Sequence, residues 1–475
     1  MPRLPNALIL KGYKISPLLP LILRGARTLD SAINELRWLK EHVSATAKPS
    51  LSPQSKRKCL LQLCIRRSRA EPLQYILGSQ PFGDLDIKCR PGILIPRPET
   101  EAYTTHLANL LLSGNYDTLL RTTGKLAKKK HRLPKVPSPR ILDVCSGSGC
   151  ISLLLHSLLA TRFPDTAIFG LDISHTAIAL SNQNLELNVK AGKLLPSASQ
   201  GRDGGYPQVQ FGRCNVLSKY PIGFGHLDII ISNPPYISKA KFASETTRSV
   251  RNYEPKLALV PFQNQPFTRG GLEWEPELKF YDRLLKLHQT HSSKILLMEI
   301  GDEEQARRVV EMAALANQHT GSNKIELWRD YPDASPEKGE PTMMNIQGSF
   351  KELPYPNVEG KTKIEREQIH RTWNGMKPEN PGIKFDEFDV PIRGAGKIRS
   401  VVLFRENNFR KTEGSKLMKE MLAMRLEDVT LCGAAKKKWQ KWDVGMPGRE
   451  NRKFSTKLKV EKRKRRKKKL RPASF

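Results

Sequence analysis

The chain has 475 residues, is 38% hydrophobic and carries a formal net charge of +33. That length allows two or three domains with sizeable cores, and the apolar share argues against a wholly disordered chain. No apolar run approaches the ~18 residues of a membrane-spanning helix, and seven cysteines without a CxxC pair argue against a disulfide framework or a zinc site and for a reducing compartment.

The first 29 residues hold Arg3, Lys11, Lys14, Arg24 and Arg27, with no acid before Asp30. That composition fits a mitochondrial transit peptide, although Pro5, Pro17 and Pro20 break any long amphipathic helix. From about residue 18 to 69, apolar positions such as Leu29, Ile33, Leu36 and Leu39 recur at helical spacing. Residues 1–70 are therefore expected to form a small helical N-terminal domain with a targeting segment at its start. Residues 71–101, "EPLQYILGSQPFGDLDIKCRPGILIPRPETE", mix short apolar stretches with Gly and Pro, which predicts a hairpin-like connector. A helix over residues 102–112 and a basic linker fill residues 102–139.

From Arg140 the texture changes. "RILDVCSGSGCISLLLHSLLA" reads as strand, Gly/Ser loop and helix, and "TAIFGLDISHTAIALSNQNLELN" as a second strand and helix. "VQFGRCNVL" is a third strand, "LDIIISNPPYIS" a fourth, and "SSKILLMEIGDEEQARRVVEMAA" a fifth with its helix. This alternation predicts a parallel sheet with helices on both faces over residues 140–406. A Pro-, Glu- and Lys-rich insertion without periodicity is expected at about 331–390, and "GKIRSVVLFRE" is a last strand that closes the sheet. Residues 407–475 form a basic tail, expected to be disordered when free. Residues 434–475 hold 18 Lys and Arg against Asp443, Glu450 and Glu461. Such a run suits RNA or an anionic surface, a nuclear-localisation look-alike, or plain solvation. Trp439 and Trp442 beside it suit base stacking or the anchoring of a small helix.

Ligands of open parallel sheets bind at the carboxyl ends of the strands. Asp143 falls at such an end, followed by a loop in which Gly147 and Gly149 allow close backbone approach. Asp172 ends the next strand, where a carboxylate can accept from both ribose hydroxyls of a nucleoside. A dinucleotide site is disfavoured, because position 152 is Ser and the G-x-G-x-x-G pattern is missing. The fourth strand ends in Asn233, Pro234, Pro235 and Tyr236. Two prolines cannot donate to a ladder, so the strand must stop there in a stiff turn, a suitable place to hold a small group in one geometry and also an ordinary loop composition.

A Gly-rich loop, an acidic second-strand end and NPPY at the fourth-strand end, in that order, resemble the Rossmann-like S-adenosyl-L-methionine methyltransferases that act on amino or amide nitrogen. The resemblance implies that the Asn233 side-chain oxygen and the Pro234 carbonyl accept the two NH2 hydrogens, with Tyr236 packing on the planar target. An amide nitrogen is a poor nucleophile, since its lone pair is delocalised into the carbonyl, so the NH2 must be held in line with the methyl and its developing charge met by acceptors. Further segments in register, "EPLQYILGSQPFG", "ILIPRPETE", "YEPKLAL", "GGLEWEPELKFYDRLL" and "LLMEIGDEEQA", closely resemble the HemK-like glutamine N5-methyltransferases of peptide chain release factors. Coverage runs from the N-terminal helices to about Tyr331, plus the strand near residues 400–405.

That family implies an α/β fold, a Rossmann-like class I methyltransferase sheet preceded by a small helical N-terminal domain. It implies S-adenosyl-L-methionine as cofactor, held by Cys145, Ser146, Gly147, Ser148 and Gly149 on the methionine side and by Asp172 at the ribose. Asn215 and Val216 would lie by the adenine, where the family often has an Asp and a bulky residue, and Asn233 would border the cofactor. Cys145 replaces the Gly of bacterial members and reads as packing. Arg97, Glu99 and Glu101 in the connector lie near the active site in the family, and either act there or brace the two domains; Glu254 and Glu299 read as structural support. The implied substrate is the glutamine of the GGQ loop in a class I release factor, with an effect on translation termination. The insertion and tail, absent from the compact bacterial pattern, together with the N-terminal composition, look most like a fungal mitochondrial version. Cytoplasmic or nuclear residence is the alternative. Two other functions share these residues. An N6-adenine methyltransferase acting on RNA or DNA would need a target-recognition domain and a basic surface around the site. A silent RNA-binding protein would not need Gly147, Gly149, Asp172 and Asn233, all intact here.

Overall fold

Proline and hydroxyl caps punctuate the N-terminal helices. The computed structural model describes residues 4–114, 138–195, 208–218, 224–262, 265–269, 272–318, 323–346 and 387–405. The basic tail, most of the linker before Arg140 and the centre of the insertion lie outside the described residues. Helix α1 spans Asn6–Ile15 and α2 Leu19–Ala26. Pro20 sits in the first turn of α2, where a missing N–H costs no hydrogen bond. Helix α3 (Leu29–Thr46) starts under Thr28, whose hydroxyl accepts the Ser31 N–H, and α4 (Pro53–Ser68) starts under Ser52 in the same way. Leu19, Ile22 and Leu23 pack with Ala32, Leu36, Leu39 and Cys64 into one core. Ile33, expected on the inward stripe, is instead 38% exposed, because the buried positions of α3 run through Ala32, Leu36, Leu39 and Val43. Arg67 makes a two-pronged contact with Glu35 at 2.6 and 2.9 Å, both side chains buried.

The connector is a short helix α5 (Leu73–Leu77) and an antiparallel hairpin of β1 (Ser79–Phe82) and β2 (Leu85–Lys88). Helix α6 (Pro98–Leu112) starts a turn earlier than the pattern predicts. Pro98 is preorganised for a first helical position, and Glu99 and Glu101 suit the positive end of the helix dipole.

The α/β part follows as β3 (Arg140–Val144), α7 (Cys150–Leu159), β4 (Ala167–Asp172), α8 (His175–Lys190), β5 (Val209–Arg213) and β6 (Ile229–Ser232). After β6 come two short helices, α9 (Lys239–Ser244) and α10 (Arg248–Tyr253), and a small hairpin of β7 (Phe267–Arg269) and β8 (Leu272–Trp274). The chain then runs through α11 (Lys279–His291), β9 (Ile295–Glu299), α12 (Glu303–Gln318), β10 (Asn323–Tyr331), β11 (Met343–Ile346), β12 (Phe388–Arg393) and β13 (Ala395–Arg405). Among the described residues the main sheet has nine strands in the order β11-β12-β10-β13-β9-β6-β3-β4-β5. Strands β5, β4, β3, β6 and β9 are parallel, as expected. The last strand differs from expectation. Instead of closing an edge, β13 lies between β9 and β10 and runs antiparallel to both. The insertion also contributes strands at its two ends, since β11 and β12 pair and β12 joins β10 at Leu327↔Ile392. Gly394 links β12 to β13 at φ +91°, where a Cβ would strike the Tyr331 carbonyl.

Alternate residues of the central strands face opposite cores. Ile141, Ile229, Ile231, Ile295 and Leu297 pack with Tyr103 and Leu107 of α6 and Leu154 of α7. Leu142, Val144, Ile230, Leu296 and Met298 pack with Leu284 of α11 and Val309 of α12. Burial on both faces is why these strands read as continuous apolar runs, and it aims their carboxyl ends at one rim.

Candidate active site

At that rim the loop after β3 reverses into α7. Cys145 has φ +64°, Gly147 +55° and Gly149 +80°, so three of five loop residues occupy the left-handed region. This explains why glycine is favoured at position 145, and a cysteine there carries about 1–2 kcal/mol of backbone strain. Burial pushes its thiol well above the ordinary range, so the sulfur is a neutral packing group. A Cβ on Gly149 would come within 2.8 Å of Phe211, whereas one on Gly147 would meet nothing within 4 Å. Gly147 therefore borders open space while Gly149 is closed against β5. The loop is held from behind: the Ser146 N–H donates to the Leu171 carbonyl, the Ser181 hydroxyl to the Gly147 carbonyl and the Asn184 amide to the Ser148 carbonyl.

Asp172 ends β4 beside this loop. One of its oxygens accepts the Gly147 N–H at 2.9 Å and the other the Ser174 N–H at 2.8 Å, which fixes the carboxylate and leaves lone pairs on both oxygens. Burial raises its carboxyl above the usual range, and those N–H groups pull it back. The next residue, Ile173, is 41% exposed and offers an apolar surface at the same rim. Of the pair expected by the adenine, Val216 is buried in the core and Asn215 is exposed, with its side-chain oxygen accepting the Leu217 N–H at 3.1 Å.

Strand β6, the neighbour of β3 on the other side, delivers the NPPY turn. Ser232 anchors it by donating to the Val144 carbonyl at 2.7 Å. Asn233 is half-buried and its Nδ2 donates to Thr100 Oγ1 at 3.3 Å, while Pro234 and Pro235 are buried. Tyr236 is tied at both ends: its hydroxyl donates to Glu299 Oε1 at 3.1 Å and its carbonyl accepts from Gln305 at 3.0 Å. Glu299, at the end of β9, also accepts from Thr100 at 2.7 Å and Tyr103 at 2.9 Å. Burial raises the Glu299 carboxyl, and the three hydroxyl donors pull it back.

The connector is fastened to the same region. Arg97 contacts both oxygens of Glu254 at 2.6 and 2.8 Å, and Glu254 also accepts the Ile95 N–H. Of the two readings of Arg97, the bracing one is the one this geometry carries. Glu99 and Glu101 serve the first turn of α6. Sequence reasoning passed over Thr100 and Tyr103, whose spacing of three on α6 places both on its buried face beside Glu299. It also passed over Gln305, which holds Tyr236.

The residues present fit S-adenosylmethionine. An open Gly147 flank, the fixed Asp172 acceptor, the apolar Ile173 face and two buried polar atoms without a partner, Asp143 Oδ1 and Ser146 Oγ, converge on one strand-end rim. Strand order, Gly-rich loop and acidic β4 end define a class I methyltransferase fold. The methyltransferase small domain matches residues 130–252. The mitochondrial MRF1 N(5)-glutamine methyltransferase of Saccharomyces cerevisiae is 35% identical over 314 residues, covering 64% of this chain and 78% of the relative. The probable MRF1 mitochondrial N(5)-glutamine methyltransferase of Schizosaccharomyces pombe is 31% identical over 65% of this chain and 88% of the relative. The release factor glutamine methyltransferase of Thermodesulfovibrio yellowstonii is 30% identical over 56% of this chain and 74% of the relative. The chain belongs to the release factor glutamine methyltransferase family, S-adenosylmethionine-dependent protein-(glutamine-N5) methyltransferases.

Proposed function

We propose that the chain methylates the side-chain amide of the glutamine in the GGQ loop of a mitochondrial class I release factor, and that Asn233 and Pro234 hold the accepting NH2. One observation carries this reading: a rigid turn, pinned through Ser232, Asn233 and both ends of Tyr236, sits at the β6 end next to the Gly-rich loop of β3. The cofactor supplies an electrophilic methyl on a sulfonium. The chain's own groups orient the nucleophile. The Asn233 Oδ1 and the Pro234 carbonyl accept the two amide hydrogens, which aligns the nitrogen lone pair and meets the positive charge that grows on it. Tyr236, its hydroxyl kept neutral by burial and by Glu299, closes one side of the slot. Cys145, Ser146, Gly147, Ser148, Gly149 and Asp172 hold the cofactor, with Asn215 and Val216 near its base.

Two fungal relatives that are mitochondrial by name support a mitochondrial compartment. Charge near the chemistry fits a protein substrate better than a nucleic acid. A cavity of about 540 Å³ lined by Tyr236 has five carboxylates, Glu245, Glu275, Glu277, Asp302 and Glu304, against Lys241, Arg308 and Arg399. Labelled S-adenosylmethionine offered with a mitochondrial release factor, its GGQ-to-GGA variant and total RNA tests the reading. Label should enter the GGQ factor alone, and Asn233→Ala should lower the rate by about two to three powers of ten. Label on RNA would overturn it.

A further inference from the structure

The hydrogens around Glu299 dictate how Asn233 must face. A carboxylate has no hydrogen to give, and each hydroxyl has one. Thr100, Tyr103 and Tyr236 all point their hydroxyls at Glu299, at 2.7, 2.9 and 3.1 Å. Glu299 and Thr100 are each 2% exposed and Tyr103 is fully buried, so solvent does not compete for these bonds. The Thr100 hydrogen is therefore committed to Glu299, and toward Asn233, 3.3 Å away, its oxygen can only accept. Were the Asn233 amide turned over, two oxygens without a hydrogen between them would face each other in a half-buried setting, which is unfavourable.

We infer that Thr100, braced by Glu299, is a positioning residue that turns the Asn233 amide so that its oxygen, not its nitrogen, faces the substrate. This rests on the reading of Asn233 as an acceptor for the target NH2. The consequence is a choice of substrate. A glutamine amide has two hydrogens to give such an oxygen. A glutamate carboxylate has none and is repelled by it. A free asparagine side chain could turn over and accommodate either, so the Thr100–Glu299 pair converts an indifferent amide into one selective for NH2.

The test uses Thr100→Val, which keeps the shape and removes the acceptor, and Thr100→Ser, which keeps the acceptor. Each full-length variant is assayed for kcat, for cofactor Kd, for melting temperature, and for the ratio of Kd values toward the release factor and its Gln→Glu variant. Thr100→Val should lose about tenfold in kcat, one hydrogen bond's worth of orientation, and narrow the Gln-over-Glu ratio by about the same factor. Its cofactor Kd should stay within about twofold, and Thr100→Ser should restore both rate and ratio, as expected when an interaction made only at the reacting group is removed. An unchanged Gln-over-Glu ratio in Thr100→Val would overturn the inference, as would a Thr100→Ser that fails alongside it. Asn233→Ala separates the two levels. If it still methylates glutamine, the acceptor reading itself falls. If it is inactive while Thr100→Val keeps the parental ratio, only the role of Thr100 falls.

Discussion

Asp143 sits at the end of β3 with no exposed surface, one oxygen taking the Ser152 hydroxyl at 2.6 Å and the other without a partner. Burial pushes its carboxyl from 3.8 up to about 7. An unfolded chain loses this proton near the lower value, whereas the folded chain keeps it until the higher one. The associated stability is complete below about pH 3.8 and is lost as pH rises to about 7. Folding stability should therefore carry a falling component across that window, of about a few kcal/mol at most. Urea midpoints measured along it should show a flatter profile for Asp143→Asn; an unaltered slope would mean that other groups set it. Cys145 makes a second prediction. Cys145→Gly removes about 1–2 kcal/mol of left-handed strain and adds a chain-entropy cost of about 0.5–1 kcal/mol. It should melt close to the parent and keep methyl transfer, while Cys145→Val, β-branched at a positive φ, should melt clearly lower. Equal melting of the Gly and Val variants would count against strain at this position. Such residues were legible because strand-end position and a rare local pattern mark them. Thr100 was not, since its role depends on Glu299, 199 positions along the chain, and no local pattern carries that contact.

Among the elements, α8 ties the cofactor loop to the connector hairpin. Ser181, Asn184 and Asn188 recur at three and four residues, hence on one face, and all three are fully buried. Asn184 donates to the Ser148 carbonyl of the cofactor loop and accepts the Lys88 N–H of the connector hairpin at 2.8 Å. Asn188 accepts the Asp86 N–H and donates to the Asp86 carbonyl, so it grips the hairpin alone at that end. Asn184→Ala should weaken cofactor binding by about tenfold, the scale of a buried hydrogen bond lost, and lower the melting temperature by loosening the hairpin. Asn188→Ala should spare the cofactor. Equal cofactor loss in both would contradict this division of labour. The helical N-terminal domain makes a further prediction. Leu19, Ile22 and Leu23 of α2, at most 1% exposed, cover α3 and α4, so the segment with transit-peptide composition is also core. Removing α1 and α2 should cost about 1.5–3 kcal/mol for each of those side chains. N-terminal sequencing of the protein isolated from its cells should therefore find Leu19, Ile22 and Leu23 retained; a start near residue 30 would show that the helices do not need this cover. Helical spacing made α3 and α4 legible. The strands β11 and β12 were hidden because a strand added at the margin of a long insertion is specified by its partner more than by its own alternation.

On the scale of the whole molecule, the sheet was readable and its charge was misleading. Alternating apolar runs and helices fix the parallel strands, but nothing local says that β13 enters between β9 and β10, since antiparallel insertion is decided by which ladder remains free. The net charge of +33 invites a nucleic-acid substrate, yet 18 Lys and Arg against three acids belong to residues 434–475. Every residue placed in the site lies within one compact unit, Met1–Asn408. The cavity beside Tyr236 is rich in carboxylates. About half of the excess positive charge thus lies in the tail, outside the unit that holds the site. A chain ending at Asn408 should methylate the release factor with kcat within about twofold of the full chain, because no group of the site is removed. The same truncation should release the protein from heparin at much lower salt, since binding to a polyanion scales with the number of charges it neutralises. If kcat/KM for the release factor instead falls steeply and the loss grows as salt is lowered, the tail captures the substrate, and the positive charge belongs to the enzyme's function and not to a separate contact.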